Sequence, residues 1–321
     1  MEEVNCPLCP PGTPTRIFLR SQQGKALFTY VQCRGCGLVF LRPRPGAAEI
    51  QEFYAEDYYG EGSHKFRSWL EVPRNFFAWN RVRRVRKYFS RPGKVLDIGC
   101  GQGTFLQMLQ NEGWKCWGTE LTEESARRTS RLGIPVYAGE FDENRFPPHS
   151  FDLITLWQVL EHLPDPGKIL KGSSRLLKKG GILAISTPNI DSLQARISAE
   201  QWFHLDPPRH LYLFSPRTLQ RMMESLGLDL LNLRYFSLEQ NPYGWLQSLM
   251  NLQGFPQNQL YSILKNTPTS RKRRLFSLQQ GKTLLWAAGL LPSCLLLSLA
   301  MAWMEKGGTL EAYFRPADRP R

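Results

Sequence analysis

The chain has 321 residues, 42% hydrophobic and 21% charged, a balance that supports a folded core and excludes a disordered chain. Its length suits one α/β domain with additions, or two domains. Lysine and arginine number 41 against 28 aspartate and glutamate, and the net charge of +13 points to an anionic partner, nucleic acid or an acidic membrane surface. The first residues, Met1-Glu2-Glu3-Val4-Asn5, carry neither a basic region nor an apolar run. No secretory leader is expected, and a cytoplasmic location follows, where disulfides do not persist.

Four of the seven cysteines fall in two pairs, Cys6-Pro7-Leu8-Cys9 and Cys33-Arg34-Gly35-Cys36. Two Cys-x-x-Cys knuckles give the ligand set of a closed four-cysteine ribbon, with zinc as a structural metal. Iron in a rubredoxin-like site uses the same four thiolates and stays open as the alternative. The segment between the knuckles is too small to hold a core without such a staple. Leu38 to Leu41 reads as a strand, Ala47 to Tyr54 as a helix, and residues 74–90 as a long helix carrying Arg81, Arg83, Arg84, Arg86 and Lys87. That charge run is read as a solvated helix face, with phosphate contact as the alternative. Arg91-Pro92-Gly93 ends the helix.

Val95 to Ile98 reads as a short buried strand that runs into Gly99-Cys100-Gly101-Gln102-Gly103, and Thr104 to Asn111 follows as a helix. A strand feeding a glycine-rich turn and a helix is a cofactor cradle, because glycine lets a ligand approach the backbone and the helix start offers unpaired N–H groups. The spacing Gly-x-Gly-x-Gly after Asp97 is not the dinucleotide pattern, and an acid at that position suits a cationic ligand. At these residues the chain resembles the class I S-adenosylmethionine-dependent methyltransferases. The resemblance is closest to a bacterial group in which a four-cysteine zinc knuckle precedes the methyltransferase domain, a group often found in cell-surface polysaccharide or lipid pathways. It implies a Rossmann-like α/β fold with a seven-stranded sheet, and S-adenosylmethionine held at Asp97, Gly99, Gly101 and Gly103.

Lys115 to Glu120 is the second strand, and Glu120 closes it about twenty residues after Asp97, where doubly wound folds place a ribose-binding acid. The resemblance gives Glu120 the same role. Val136 to Ala138 is a short third strand; in the family an acid nearby contacts the adenine amino group, so Glu140 is the candidate and Asp142 the alternative. Phe151 to Leu156 is an apolar fourth strand suited to the middle of a parallel sheet. In the family, residues just after it line the methionine end of the cofactor, which assigns Trp157 and Gln158; many relatives have histidine where Gln158 stands. Gly180 to Thr187 is the fifth strand. The turn at Asp97, Phe151-Asp152 and Glu161-His162-Leu163-Pro164-Asp165-Pro166 also resemble quinone-pathway O-methyltransferases, which lack the knuckle.

Gln201 to Tyr212 combines two histidines with prolines and aromatics, and in this fold the loop after strand five lies beside the transferred methyl group. An oxygen acceptor must be aligned and lose its proton, which suits a histidine near neutral pH. His210, His204 and His162 are the candidates. Ser215 to Leu226 is a helix and Leu228 to Phe236 strand six. The last strand, expected between strands five and six, is Thr309 to Arg315.

That leaves an insertion, residues 237–308, with no charge between Lys282 and Glu305. As a helix this stretch is about 33 Å long, enough to cross a bilayer. Arg271-Lys272-Arg273-Arg274 precedes it, as a positive flank does. A return to the sheet at Thr309 disfavours one crossing, and Pro292 is expected to break the helix. The stretch 282–304 is therefore read as an apolar re-entrant hairpin, or as a bent helix in the membrane interface, with a buried lid or dimer contact as the soluble alternative.

The organisation expected is a four-cysteine zinc ribbon over 1–45, a helical linker or cap over 46–93, the methyltransferase domain over 94–236 and 309–315, and the insertion. The function expected is O-methylation of a lipid-linked sugar, glycolipid or related amphiphile by an enzyme peripheral to the inner membrane face, with a small-molecule acceptor in the same class. A zinc-finger RNA methyltransferase and a non-catalytic scaffold in a membrane complex are the alternatives.

Overall fold

The structure is a computed structural model that describes residues 1–23, 26–46, 49, 71–265 and 278–317. The expected helix over 47–54 and the basic run Arg271–Arg274 lie outside the described residues. The chain divides into two compact units, one of Met1–Glu71, Pro188–Thr218 and Arg234–Leu310, the other of Val72–Thr187, Leu219–Leu233 and Glu311–Arg321.

The second unit is built on the glycine turn. α1 (Glu71–Arg86) leads to β4 (Lys94–Ile98), α2 (Thr104–Asn111), β5 (Lys115–Glu120), α3 (Glu123–Ser130), β6 (Val136–Ala138), β7 (Phe151–Trp157), α4 (Pro166–Leu176) and β8 (Leu177–Pro188). With β10 (Leu228–Arg234) and β11 (Thr309–Pro316) these strands form a mixed seven-stranded sheet in the order β10-β11-β8-β7-β4-β5-β6. β4 pairs in parallel with β5 and β7, in registers Asp97 to Gly118 and Asp97 to Thr155. The last strand sits between the fifth and sixth strands of the fold, as the sequence pattern predicts. Its core gathers Val95, Leu106, Leu109, Trp114, Leu153 and Ala184 around the sheet, with Val82 and Val85 from α1. Arg84 of α1 forms a buried ion pair with Glu311 of β11, and the rings of Tyr88 and Tyr313 lie 4.8 Å apart. The last strand thereby holds the helix that precedes the glycine turn.

The first unit has its own sheet. β1 (Thr15–Gln23) and β2 (Ala26–Cys33) form an antiparallel hairpin, and β3 (Val39–Leu41) pairs with β2. A fourth strand comes from far along the chain: β9 (Tyr212–Leu213) pairs with β3 in the register Phe40 to Tyr212. The remainder is helical, with α5 (Leu193–Ser198), α7 (Asn241–Leu252), α8 (Gln259–Leu264) and α9 (Leu278–Trp303); α6 (Pro216–Glu224) precedes β10.

α9 corrects the expectation of a hairpin over 282–304. It is one helix of 26 residues running through Pro292, about 39 Å long. Ala287 before the proline and Cys294 and Met301 after it share one core with Trp245, Leu246 and Met250 of α7. Burial on both sides of Pro292 outweighs the roughly 3 kcal/mol that an internal proline costs. The opposite face is apolar and open: Leu285 is 77% exposed, Leu296 68% and Trp303 87%.

Candidate active site

The glycine turn needs its glycines for separate reasons. Gly99, Gly101 and Gly103 all have positive φ, at 72°, 56° and 71°. A Cβ on Gly99 would come within 2.6 Å of Val159, and one on Gly103 within 2.3 Å of Thr129. A Cβ on Gly101 would meet nothing within 4 Å, so its backbone is the open part of the cradle. Gly103 also caps α2 without a side-chain hydrogen bond, which leaves helix-start N–H groups for a ligand. Thr129 anchors the turn by donating to the Gly101 carbonyl at 2.7 Å.

Two carboxylates face this turn from adjacent strands. Asp97 is buried and accepts a hydrogen bond from the Thr155 hydroxyl at 2.6 Å. Burial pushes its pKa up to about 7, with Glu120 adding to the rise and Thr155 and Arg81 opposing it. Glu120 accepts from the backbone N–H of Gly101 at 2.8 Å and of Leu121 at 2.9 Å. An acid at the end of β5 is thus held on the glycine turn itself.

The wall beyond β7 is aromatic. Trp157 is buried, edge-to-face with Phe105 at 5.6 Å, and the Arg81 guanidinium lies 5.4 Å from its ring centroid. Its indole Nε1 has no hydrogen-bond partner among the described residues, and neither has the buried Nε of Arg74. Arg74 bonds the side chain of Gln102 in the turn. Gln158, at φ 56°, donates from its backbone to Ser186 O and from its side chain to Ser186 Oγ, both at 2.8 Å. Asp142 is engaged as the cap of the short helix Glu143–Arg145, accepting from Asn144 N at 3.0 Å. Glu140 is exposed after Gly139, and of the two acids it is the one not used as a cap.

The candidate bases belong to both units. His162 lies in the second, in the short helix Leu160–His162, half-buried. His204 and His210 lie together in the first, where His210 Nδ1 is 2.7 Å from the His204 carbonyl oxygen. Both are buried. Burial, with the His210 charge, pushes His204 down to about 3, and burial lowers His210 against the pull of Asp206. His204 packs its Nε2 against Gly244, where an added Cβ would lie 2.7 Å away. This is the setting of a structural histidine.

Two residues escaped the sequence reading. Arg74 enters the sequence pattern only as the first residue of the helix 74–90, apart from its basic run. Glu161 is fully buried, accepts from Thr187 Oγ1 at 3.0 Å, and has no partner for Oε1 among the described residues. Burial pushes its carboxyl up to about 8, against its own backbone N–H and Thr187. The available signal was an acid set between Leu160 and Leu163.

In the first unit the sulfurs of Cys6, Cys9, Cys33 and Cys36 lie within 4.8 Å of one another. A tetrahedral zinc–thiolate site needs S···S edges of about 3.8 Å, and Cys6 and Cys36 stand 3.5 Å apart. Gly35 makes room for the knuckle: a Cβ there would lie 3.1 Å from Cys9 Sγ. Leu38 N points at Cys36 Sγ at 3.5 Å, a backbone contact that suits a thiolate.

A mostly parallel sheet in which β4 ends in this turn, with an acid on the neighbouring strand, defines a nucleotide-cofactor enzyme. Residues 68–233, half of the chain, match the methyltransferase-domain family, and the chain belongs to that family as an S-adenosylmethionine-dependent methyltransferase. A Coxiella burnetii enzyme named ubiquinone biosynthesis O-methyltransferase is 31% identical over 166 residues, 48% of this chain and 71% of that one. A Chromobacterium violaceum enzyme of the same name is 28% identical over 193 residues, 54% and 82% of the two chains. Among solved structures, the cyclase SpnF covers 86% of this chain and 98% of its own at a TM-score of 0.50 and 16% identity, a likeness of fold. The residues present suit this cofactor. A buried acid at Asp97 complements a cationic amino group, the unpartnered donors of Arg74 and Trp157 suit an anionic one, and the Gly101 backbone is open beside Glu120.

Proposed function

We propose that this enzyme methylates an oxygen of a lipid-linked sugar, glycolipid or related amphiphile while resting on a membrane surface. When bound, S-adenosylmethionine supplies an electrophilic methyl group on a sulfonium. Asp97 and the turn Gly99–Gly103 would hold the methionine part, Glu120 the ribose hydroxyls and Glu140 the adenine end. Trp157 and Gln158 would line the side facing the acceptor. Cys6, Cys9, Cys33 and Cys36 would hold a structural zinc. His162, His204 and His210 remain the candidate bases from the sequence. Burial lowers the proton affinity of His204 and His210, which counts against both as bases. Oxygen as the acceptor atom is supported by the names of the similar enzymes.

The observation that carries the membrane reading is α9. The most apolar 18-residue window of its described span Gln280–Trp303 has a mean hydropathy of 2.0, and only 22% of that window is buried. A soluble core helix would bury most of that surface, since each fully exposed leucine forgoes about 1.5–3 kcal/mol of burial. Trp303 ends the helix and Trp286 stands at the start of its uncharged apolar stretch, and aromatic residues collect at headgroup level. Laid in the interface, the exposed face would place the enzyme beside acceptors that never leave the lipid phase.

The test has two arms. Calorimetry should find S-adenosylmethionine affinity reduced at least tenfold by Glu120→Ala; unchanged affinity removes Glu120 from the site. Flotation with phospholipid vesicles should carry the wild type and fail for Leu285→Asp combined with Leu296→Asp. Equal flotation of that variant would sink the membrane reading.

A further inference from the structure

We infer that the exposed face of α1 is a second docking surface, one that takes anionic phospholipid headgroups. It lies in the methyltransferase unit, separate from α9, and goes beyond the proposed function.

Phe76, Trp79, Arg83 and Lys87 follow one another along α1 and just past its end at spacings of three, four and four, which puts them on one face. All four are exposed; Phe76 is 47% and Trp79 43% accessible. The row runs for about 17 Å. From Val72 to Arg91 the sequence contains no acidic residue. The other arginines of the helix are occupied inward or sideways: Arg74 by Gln102, Arg81 by the Trp157 ring, Arg84 by Glu311 and Arg86 by Glu112 at 3.3 Å. Arg83 and Lys87, with exposed Arg91 beyond, are the cations this face presents to solvent.

The rings form a preassembled wedge. Phe76 and Trp79 have centroids 5.6 Å apart, and the Arg83 guanidinium carbon stands 4.7 Å from the Trp79 ring centre. Aromatic residues collect at one end of the row and cations at the other. That segregation suits a lipid interface, where rings enter the headgroup layer and cations stay with the phosphates. Nucleic acid is the other anionic partner with which a basic chain pairs. A single strand needs open ring faces on which bases stack in succession, and Arg83 already stacks on Trp79.

The test compares the full-length protein with vesicles of phosphatidylcholine alone and of phosphatidylcholine with phosphatidylglycerol. Wild type is expected to bind the anionic vesicles more tightly, with the difference shrinking as salt rises. Arg83→Glu combined with Lys87→Glu is expected to lower affinity for anionic vesicles by at least about 30-fold, the loss of two cations at their usual worth near a charged surface, with repulsion of the new carboxylates added to it. Binding to neutral vesicles should be unchanged. Phe76→Ser combined with Trp79→Ser is expected to weaken binding to both vesicle types. S-adenosylmethionine binding by calorimetry checks that each variant is folded; if the charge reversals fail that check, Arg83→Gln with Lys87→Gln carries the same comparison. Unchanged anionic-vesicle binding in the folded charge variant overturns the inference. So does a single-stranded RNA oligonucleotide whose affinity falls in that variant while vesicle binding does not. Loss of flotation confined to the Leu285→Asp, Leu296→Asp variant would leave the α9 reading standing and this one refuted.

Discussion

The Tyr30 hydroxyl, on the second strand of the N-terminal ribbon, lies 2.7 Å from the backbone carbonyl oxygen of His210. The same hydroxyl is 2.8 Å from the Leu205 carbonyl oxygen, so one phenolic proton is shared by two acceptors. Tyr30 is fully buried, and burial holds it protonated by raising its pKa well above the ordinary value. Two residues beyond His210, Tyr212 extends the ribbon sheet and accepts from Arg44 Nη1 at 3.0 Å. The ribbon therefore fixes the segment that carries His204 and His210.

Tyr30→Phe removes that proton and leaves two buried carbonyls without their donor. A cost of about 1–3 kcal/mol is expected. Hydrogen exchange over residues 203–213 should accelerate, while S-adenosylmethionine affinity, which rests on residues of the other unit, stays at the wild-type value. Unchanged exchange in that segment would show that Tyr30 does not hold it.

The parts of this molecule that were legible in the sequence are the ones set by local rules. The turn after Ile98 and the helix from Thr104 to Asn111 follow from glycine spacing and apolar periodicity, and the Cys pairs from ligand spacing. β9 was not legible, because two residues pairing with a strand more than 170 positions away leave no local pattern. The break expected at Pro292 failed for a similar reason. Local propensity asks for a break there, and the α7 core, distant in sequence, overrides it. Glu161 stayed hidden because burial, not residue type, makes its carboxyl unusual.

The three turn glycines should separate under substitution. Gly103→Ala drives a methyl group into Thr129 and adds a left-handed alanine, so destabilisation of several kcal/mol is expected by denaturant unfolding. Gly101→Ala meets open space and carries only the backbone strain, about 1–2 kcal/mol. Its effect should fall on the cofactor instead, with S-adenosylmethionine affinity reduced at least tenfold by calorimetry. Equal losses of stability in the two variants would contradict this division.

The metal should be required for the ribbon alone. Elemental analysis is expected to find one zinc per chain, lost in Cys9→Ser and Cys33→Ser. A visible thiolate-to-iron absorption band would identify iron instead. Chelation should lower the Tm and release the β1–β3 sheet with β9, while the second unit keeps its S-adenosylmethionine site. Retention of zinc by both cysteine variants would remove the four-thiolate assignment.

Asp97 and Glu161 give the fold a pH dependence of definite sign. Burial raises both carboxyls, Asp97 from 3.8 to about 7 and Glu161 from 4.5 to about 8. Between those limits the folded chain holds protons that the unfolded chain has released. Their contribution to stability is therefore full below about pH 4 and is lost as pH rises to 7 and 8, by at most about 1.4 kcal/mol per pH unit for each group. Glu161→Gln keeps the neutral shape and removes one of the two titrations, so its unfolding free energy should fall less steeply between pH 5 and 8 than the wild type's, taking those as approximate limits. A cationic ligand beside Asp97 acts in the opposite direction. It favours the carboxylate, so binding near pH 6.5, about the raised value, should release a proton. Calorimetry in buffers of different ionisation enthalpy reads that proton directly. Zero release, with parallel pH profiles for wild type and Glu161→Gln, would mean that neither carboxyl is protonated in the folded protein.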